Sequence, residues 1–493
     1  MEYMPIMNAQ SKEPLYQQLY KQLSKRIASG EIPSGTKMPS IRQLMKASGV
    51  GKNTIEAAYQ QLLAEGYIVS RERSGFFAAE IERWSEPVDQ DEEIALYSSI
   101  LKKKKGEHLT CRYNFHGSVI DTKSFPYAAW RSCMLEALDI YPEDFSFYGD
   151  DQGEWELREE LSTYLRRART LICRPEQIII GTGLQQALSF LCLLLADRHR
   201  VVAIEEPGYA DARIVFSHHG YEVVPIPLAE EGLSIEALEK SKATVVYTTP
   251  AHQFPYGMVM PVGQRQQLLQ WAKRKNGIII ENDYDGEFRY NVHPTPSLQG
   301  MDRDGCVVYI GNFSKAFSPA LRLDYTVLPR QLLGRYLEAF QGYPSPVSRH
   351  LQRSMQLFMQ KGYWEKHVRK MRTVYHRKHD ALLRAIQTYM PREVRVLGQS
   401  AGLHILLEVD TSRTEKELID LARAADVRVY PSGHNWANDP TNARPRIIVG
   451  FGGVEEQDIA VGIRRLAEAW FSLCSALLPN LLVLILVIPF FFL

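Results

Sequence analysis

Lys315 lies in a run whose residue types could do chemistry: Asn312-Phe313-Ser314-Lys315, with Arg322 seven residues beyond the lysine. A primary amine can condense with an aldehyde to a Schiff base, and a hydroxyl beside an arginine's planar fork suits a phosphate on the same molecule. Upstream, Glu281-Asn282-Asp283-Tyr284-Asp285 gathers carboxylates, an amide and a phenol. A third run, Gly181-Thr182-Gly183-Leu184, could present backbone N–H groups and a helix N-terminus to that phosphate.

Each of these runs follows a short apolar stretch. Residues 178–180, 201–204, 245–247, 278–280 and 307–310 are continuous apolar runs, as strands covered on both faces should be, and helical stretches such as 184–196 and 263–275 lie between them. The alternation predicts an α/β fold in which neighbouring parallel strands deliver side chains to a shared carboxyl edge. Because strand side chains alternate, Asn282 should share a face with Tyr284 while Asp283 points the other way. Downstream, a long helical region over about 347–389 precedes a smaller set of strands and helices at 403–407, 415–424, 447–449 and 454–471.

A chain of 493 residues is too long for one core and predicts two or three domains. Its net charge of +1 hides a local bias, since residues 11–80 carry ten Lys/Arg against six Asp/Glu, a net +4, and only that segment invites a polyanion. The six cysteines are scattered without a CxxC pair, which fits a reduced cytoplasmic compartment and argues against structural zinc; no metal site is predicted.

Within residues 11–80, apolar positions at Leu15, Leu19, Leu23 and Ile27 predict a helix that Gly30 stops. Ser40 is a candidate N-cap for a short second helix, and a third runs from Lys52 to Glu65 with Ile55, Ala58, Tyr59 and Leu62 inward. Two strand-like pieces around Ser70-Arg71-Glu72-Arg73-Ser74 complete a hairpin with a basic tip. Three helices and a hairpin suit either a winged helix-turn-helix or a small dimerisation module. The segments Leu15-Tyr16-Gln17-Gln18-Leu19, Met38-Pro39-Ser40-Ile41-Arg42-Gln43-Leu44, Asn53-Thr54-Ile55-Glu56-Ala57-Ala58-Tyr59 and Leu63-Ala64-Glu65-Gly66-Tyr67 resemble the DNA-binding domain of GntR-family transcription regulators. That resemblance implies that Arg42, Lys52, Asn53 and Thr54 approach operator DNA and that Arg71, Arg73 and Gly75 form the wing. Gly51-Lys52 stands where the family usually has Ser-Arg, so phosphate attraction is kept without the bidentate fork.

The Ser314-Lys315 pair followed by Pro319-Ala320-Leu321-Arg322 resembles the lysine segment of fold-type I aminotransferases, which bind pyridoxal 5'-phosphate (PLP). Together with His252-Gln253-Phe254-Pro255 and Asp283-Tyr284-Asp285-Gly286-Glu287-Phe288, and with the GntR-like head, the chain resembles the MocR subfamily, including GabR-like regulators. The resemblance implies a winged helix (11–80), a linker (81–110) and an aminotransferase-like PLP domain (111–475) whose small lobe begins near 345. It also implies a head-to-tail homodimer and, as effector, a small amino compound or PLP itself. It assigns Lys315 the Schiff base, Ser314, Arg322, Thr182, Gly183 and Leu184 the phosphate end, and Tyr284 with His252 or Gln253 the phenolic oxygen.

The subfamily usually places an aspartate at the ring nitrogen, where this chain has Asn282. An amide can hydrogen-bond that nitrogen but cannot stabilise its positive charge, so the expectation is a PLP-dependent regulator switched by ligand chemistry at Lys315, with little or no turnover. A working aminotransferase with an autoregulatory head and a repressor that has lost PLP are the alternatives. Arg213, Arg444 and Arg446 are candidate effector contacts or, equally, structural ion pairs. The apolar stretch 481–493 is short for a membrane span, and residues 476–493 are read as a tail without assigned role.

Overall fold

The computed structural model describes Met7 and residues 13–81, 111–230, 232–290, 296–438 and 444–471. Apart from Ile81, the expected linker (81–110) and the apolar stretch 481–493 lie outside the described residues. The chain divides into two compact units, Met1–Leu109 and Thr110–Leu493.

The smaller unit holds α1 (Leu15–Ala28), α2 (Ile41–Ser48), α3 (Lys52–Ala64) and an antiparallel hairpin of β1 (Ile68–Arg71) and β2 (Gly75–Ala78). Leu19, Leu23, Leu44, Ile55, Tyr59, Leu62 and Ile68 form its core, so the apolar faces expected from periodicity meet one another. A capping box starts α2: the Ser40 N–H donates to Gln43 Oε1 at 2.8 Å and the Gln43 N–H to Ser40 Oγ at 3.3 Å. The Tyr59 hydroxyl donates to the Pro39 carbonyl at 2.8 Å, fixing α3 against the entry to α2.

The larger unit begins with the short β3 (Tyr113–Asn114) and is built on eight strands: β4 (Ile178–Gly181), β5 (Val201–Glu206), β6 (Glu222–Ala229), β7 (Gly232–Leu233), β8 (Val245–Thr248), β9 (Ile278–Asp283), β10 (Val307–Asn312) and β11 (Asp324–Val327). Their order is β4-β11-β10-β9-β8-β5-β6-β7. β10, β9, β8, β5 and β6 are parallel neighbours, while β11 runs antiparallel to both β10 and β4. β4 therefore points the same way as β10, and the polar ends of β4, β5, β8, β9 and β10 meet at one edge. β11 had no apolar run to announce it, because Asp324 and Thr326 interrupt the pattern while being buried.

The smaller lobe is a four-stranded antiparallel sheet of β12 (Val394–Leu397), β13 (His404–Val409), β16 (Arg446–Gly450) and β15 (Tyr430–Pro431), while β14 (Val427–Arg428) pairs in parallel with β3. Helices Glu415–Ala424 and Glu456–Phe471 flank it. The single helical region expected over 347–389 is two helices, Arg349–Gln360 and Tyr363–Tyr389, separated where Gly362 takes a left-handed φ of 72°. The longer helix is tied to the start of the unit by a buried ion pair, Lys378 Nζ to Asp121 Oδ2 at 2.6 Å, and by Lys378 donating to the Gly452 carbonyl at 2.9 Å. No helix among the described residues is long and apolar enough to cross a membrane.

Candidate functional site

A cavity of about 560 Å³ opens where the sheet's polar edge faces the smaller lobe. Its wall contains seven of the residues singled out from sequence: Gly183, Leu184, Asn282, Tyr284, Ser314, Lys315 and Arg322. The pairing of β9 with β10, Ile310 opposite Asn282, brings the acidic run alongside the lysine segment.

Alternation along β9 sorts that run. Asn282 and Tyr284 line the cavity, while the three carboxylates are engaged away from it. Glu281 accepts the N–H groups of Leu298 and Gln299 at 2.9 and 3.0 Å. Asp283 pairs with Arg169 and accepts the Tyr309 hydroxyl at 2.7 Å. Asp285 Oδ2 lies 2.9 Å from His252 Nδ1. Asn282 donates its Nδ2 to the Tyr247 hydroxyl at 2.8 Å, leaving Oδ1 buried with no partner among the described residues.

Lys315 donates to the Gly117 carbonyl, and burial lowers its pKa from 10.5 to about 8 against the opposing pull of Asp285. At pH 7 about one-tenth of such an amine is neutral and nucleophilic, against well under a thousandth for an ordinary lysine. Arg322, in the left-handed region at φ 50°, lays its guanidinium against Gly183, which has φ +130° at the start of helix Leu184–Leu195. A Cβ on Gly183 would sit 2.2 Å from Arg322 Nη2, so glycine leaves a notch that sets an arginine fork beside a helix N-terminus, an arrangement suited to an anion. Gly183→Ala should therefore weaken PLP binding about ten- to hundredfold with the fold kept, read by equilibrium dialysis; unchanged affinity would move the phosphate elsewhere.

Six residues expected from sequence at the site lie outside the cavity wall. His252 and Gln253 do not line the cavity: the His252 Nδ1 is held between Asp285 and the Tyr284 hydroxyl, the latter at 2.8 Å, and Gln253 Nε2 donates to the Pro207 and Phe254 carbonyls at 2.9 and 2.6 Å. The wall there is Thr249 and Phe254. Arg213 donates to the His434 carbonyl at 3.0 Å, Arg444 pairs with Asp410 at 2.8 Å and Arg446 with Glu408 at 2.8 Å; none of the three is in the wall. Thr182 is also outside it, its N–H donating to Gln186 Oε1 at 3.0 Å.

Several wall residues escaped the sequence reading. His116, Gly117 and Ser118 reach the cavity because β3 pairs with β14 and the Gly450 N–H donates to the Phe115 carbonyl at 2.9 Å. Tyr209 and Phe254, ring centroids 5.5 Å apart, are flanked by His404 and Tyr430 from the smaller lobe. Burial, then neighbouring His252 and Lys315, pushes His404 well below the usual histidine range, so its imidazole is neutral. Of these, Phe254 lay inside a run singled out from sequence, His252-Gln253-Phe254-Pro255.

In the smaller unit, Arg42, Lys52, Asn53, Arg71, Arg73 and Gly75 are exposed and Thr54 is half-buried. Lys52 makes an exposed pair with Glu56 at 3.4 Å, and Arg71 lies over the Phe77 ring at 4.5 Å. Left-handed Arg73 (φ 58°) and Gly75 (φ 101°) shape the hairpin tip.

The family of bacterial regulatory proteins of the gntR type matches residues 15–78, and aminotransferase class I and II matches residues 126–448. The chain is 39% identical over 476 residues, 97% of this chain and 100% of the relative, to YhdI of Bacillus subtilis strain 168, an uncharacterized HTH-type transcriptional regulator. It is 28% identical over 485 residues, 96% and 97% of the two chains, to the probable rhizopine catabolism regulatory protein MocR of Rhizobium meliloti. Among solved structures, Pyrococcus horikoshii kynurenine aminotransferase superposes with a TM-score of 0.66 at 26% identity, over 78% of this chain and 95% of that one.

Proposed function

Because this chain belongs to the MocR/GabR-like subfamily, a GntR-type winged helix joined to an aminotransferase class I and II domain, we propose that its operator binding is switched by amine chemistry at a PLP held on Lys315, with little or no turnover. PLP is the cofactor of the fold. The residues present suit it: a depressed lysine, a glycine notch against an arginine, and a buried amide oxygen at Asn282 with no partner among the described residues. When bound, it supplies an aldehyde for amines and a ring that draws off electron density.

The chain's own residues then divide the work. Lys315 provides the neutral amine, and Arg322 with the first turn of helix Leu184–Leu195 neutralises the phosphate. Tyr284 offers its hydroxyl at the phenolic end, held in place by His252. Burial and neighbouring Asp285 keep that phenol protonated, well above its ordinary range. Asn282 orients the ring without adding charge. The observation that carries the proposal is Lys315 and Asn282 in the wall of one cavity: an amine that can capture an aldehyde stands with an amide where a carboxylate would drive carbanion chemistry.

The test uses the full chain, as the homodimer this reading expects. A duplex selected from a random library by the protein is followed by fluorescence anisotropy with PLP alone and with PLP plus an amine, while product formation is measured in parallel. A change in DNA affinity of at least fivefold without sustained turnover supports the proposal. Efficient transamination, or DNA affinity indifferent to PLP and amines, would sink it.

A further inference from the structure

We propose that the effector this cavity selects is a primary amine without a carboxylate, whose far end is a hydrogen-bond donor seated on Asp211: a diamine or an amino alcohol. This rests on the reading just given, in which Lys315 and PLP receive the amine.

The charged side chains in the wall, among the described residues, are Lys315, Arg322 and Asp211. Arg322 lies against the Gly183 notch at the phosphate end, and Lys315 is the point of covalent attachment. Among the described residues of this chain, no permanently charged group in the wall is left to receive a ligand carboxylate. His404, the deepest histidine of the wall, is neutral. The arginines that might have served are turned elsewhere: Arg213 onto the His434 carbonyl at 3.0 Å, and Arg446 into its pair with Glu408 and over the Tyr256 ring at 5.1 Å. Residues 439–443, outside the described set, contain no lysine or arginine.

The remaining charge is negative. Asp211 occupies the first turn of helix Ala210–His218, half-buried. Its Oδ2 accepts the Tyr209 hydroxyl at 3.0 Å and Gln185 Nε2 at 3.4 Å, which hold the carboxylate in place. Its Oδ1 accepts no hydrogen bond from a described residue. An acid in a helix's first turn is favourable on its own account. Here, however, it also faces a cavity, and a ligand carboxylate arriving beside it would meet like charge in a partly desolvated place. A protonated amine or a hydroxyl would complete its hydrogen bonding, with Tyr209 and Phe254 offering flat apolar walls to the carbon chain between.

The experiment titrates the PLP-loaded full chain with three probes of matched length, 1,5-diaminopentane, 5-aminopentan-1-ol and 5-aminopentanoate. It follows the visible absorption band and, independently, heat of binding by calorimetry. The diamine and the amino alcohol should act at concentrations at least tenfold below the aminocarboxylate. Asp211→Asn, an isosteric change, should erase most of the diamine's advantage, and Asp211→Arg should make 5-aminopentanoate the tightest of the three. Equal response to all three probes, or tightest binding of the aminocarboxylate by the unmodified chain, overturns the inference while leaving a lysine-dependent band intact. Absence of any lysine-dependent band overturns this inference together with the reading beneath it.

Discussion

Lys315→Ala, supplied with PLP, should show no visible absorption band beyond that of the free cofactor, and its DNA affinity should no longer respond to amines. Lys315 is the one lysine in the cavity wall among the described residues, and it lies in the turn just beyond the end of β10, whose Ile310 pairs with Asn282. Burial lowers it to about 8, so covalent capture by the unmodified protein should quicken as pH rises toward about 8 and then level off, where an ordinary lysine would continue to gain up to 10.5. The same shift has a sign for stability. The folded chain holds this proton less tightly than the unfolded chain, so the cost of burying a charged amine is present in full below about 8 and is relieved as pH climbs from there to 10.5. Lys315→Ala without cofactor should therefore gain more thermal stability at pH 7 than at pH 10. The measurements are absorbance, borohydride trapping with peptide mapping, and thermal unfolding at the two pH values. An undiminished band in the variant would place the covalent link on another residue.

The parts of this site that could be read in advance are those governed by a period. The runs at 278–280 and 307–310 are apolar throughout because both faces of the sheet are covered, and the two-residue repeat continues past the strand's end far enough to put Asn282 and Tyr284 on the cavity side. Where the chain is irregular, the repeat stops and so does the inference. His252, Gln253 and Phe254 are consecutive, and nothing local says that the first two close a hydrogen-bonded loop while the third faces the cavity. His116 to Ser118 were beyond reach for another reason. Their position depends on β3 meeting β14, a contact more than three hundred residues distant that no local pattern encodes. The arginines were open for a third reason: Arg444 and Arg446 are the right residue type near the right lobe, and only the fold brings Asp410 and Glu408 to them as the ion-pair alternative has it.

Asn282→Asp should raise the rate of transamination by about a hundredfold to a thousandfold, the scale of removing or restoring one well-placed electrostatic partner. The amide already makes room for the acid. Its Nδ2 donates to the Tyr247 hydroxyl, which can instead donate to a carboxylate oxygen without moving, and its Oδ1, buried with no partner among the described residues, marks where the second oxygen would stand. In the empty cavity that carboxylate would be a poorly solvated charge, so the variant should be less stable than the parent without PLP by about 1–3 kcal/mol and should recover much of this on loading. With the cofactor bound, a negative charge at this point would favour a protonated ring nitrogen, and the ring would then accept electron density that the amide does not help it hold. Covalent capture by Lys315 should be nearly unchanged, because burial rather than Asn282 sets the lysine's proton affinity. Stopped-flow absorbance with an amine donor separates the two steps. A faster second phase with an unaltered first is the expected result, whereas equal second phases, or turnover by the parent at the ~1–10³ s⁻¹ of ordinary enzymes, would mean that the asparagine does not restrain the chemistry and that a regulatory role must rest on something other than a muted ring.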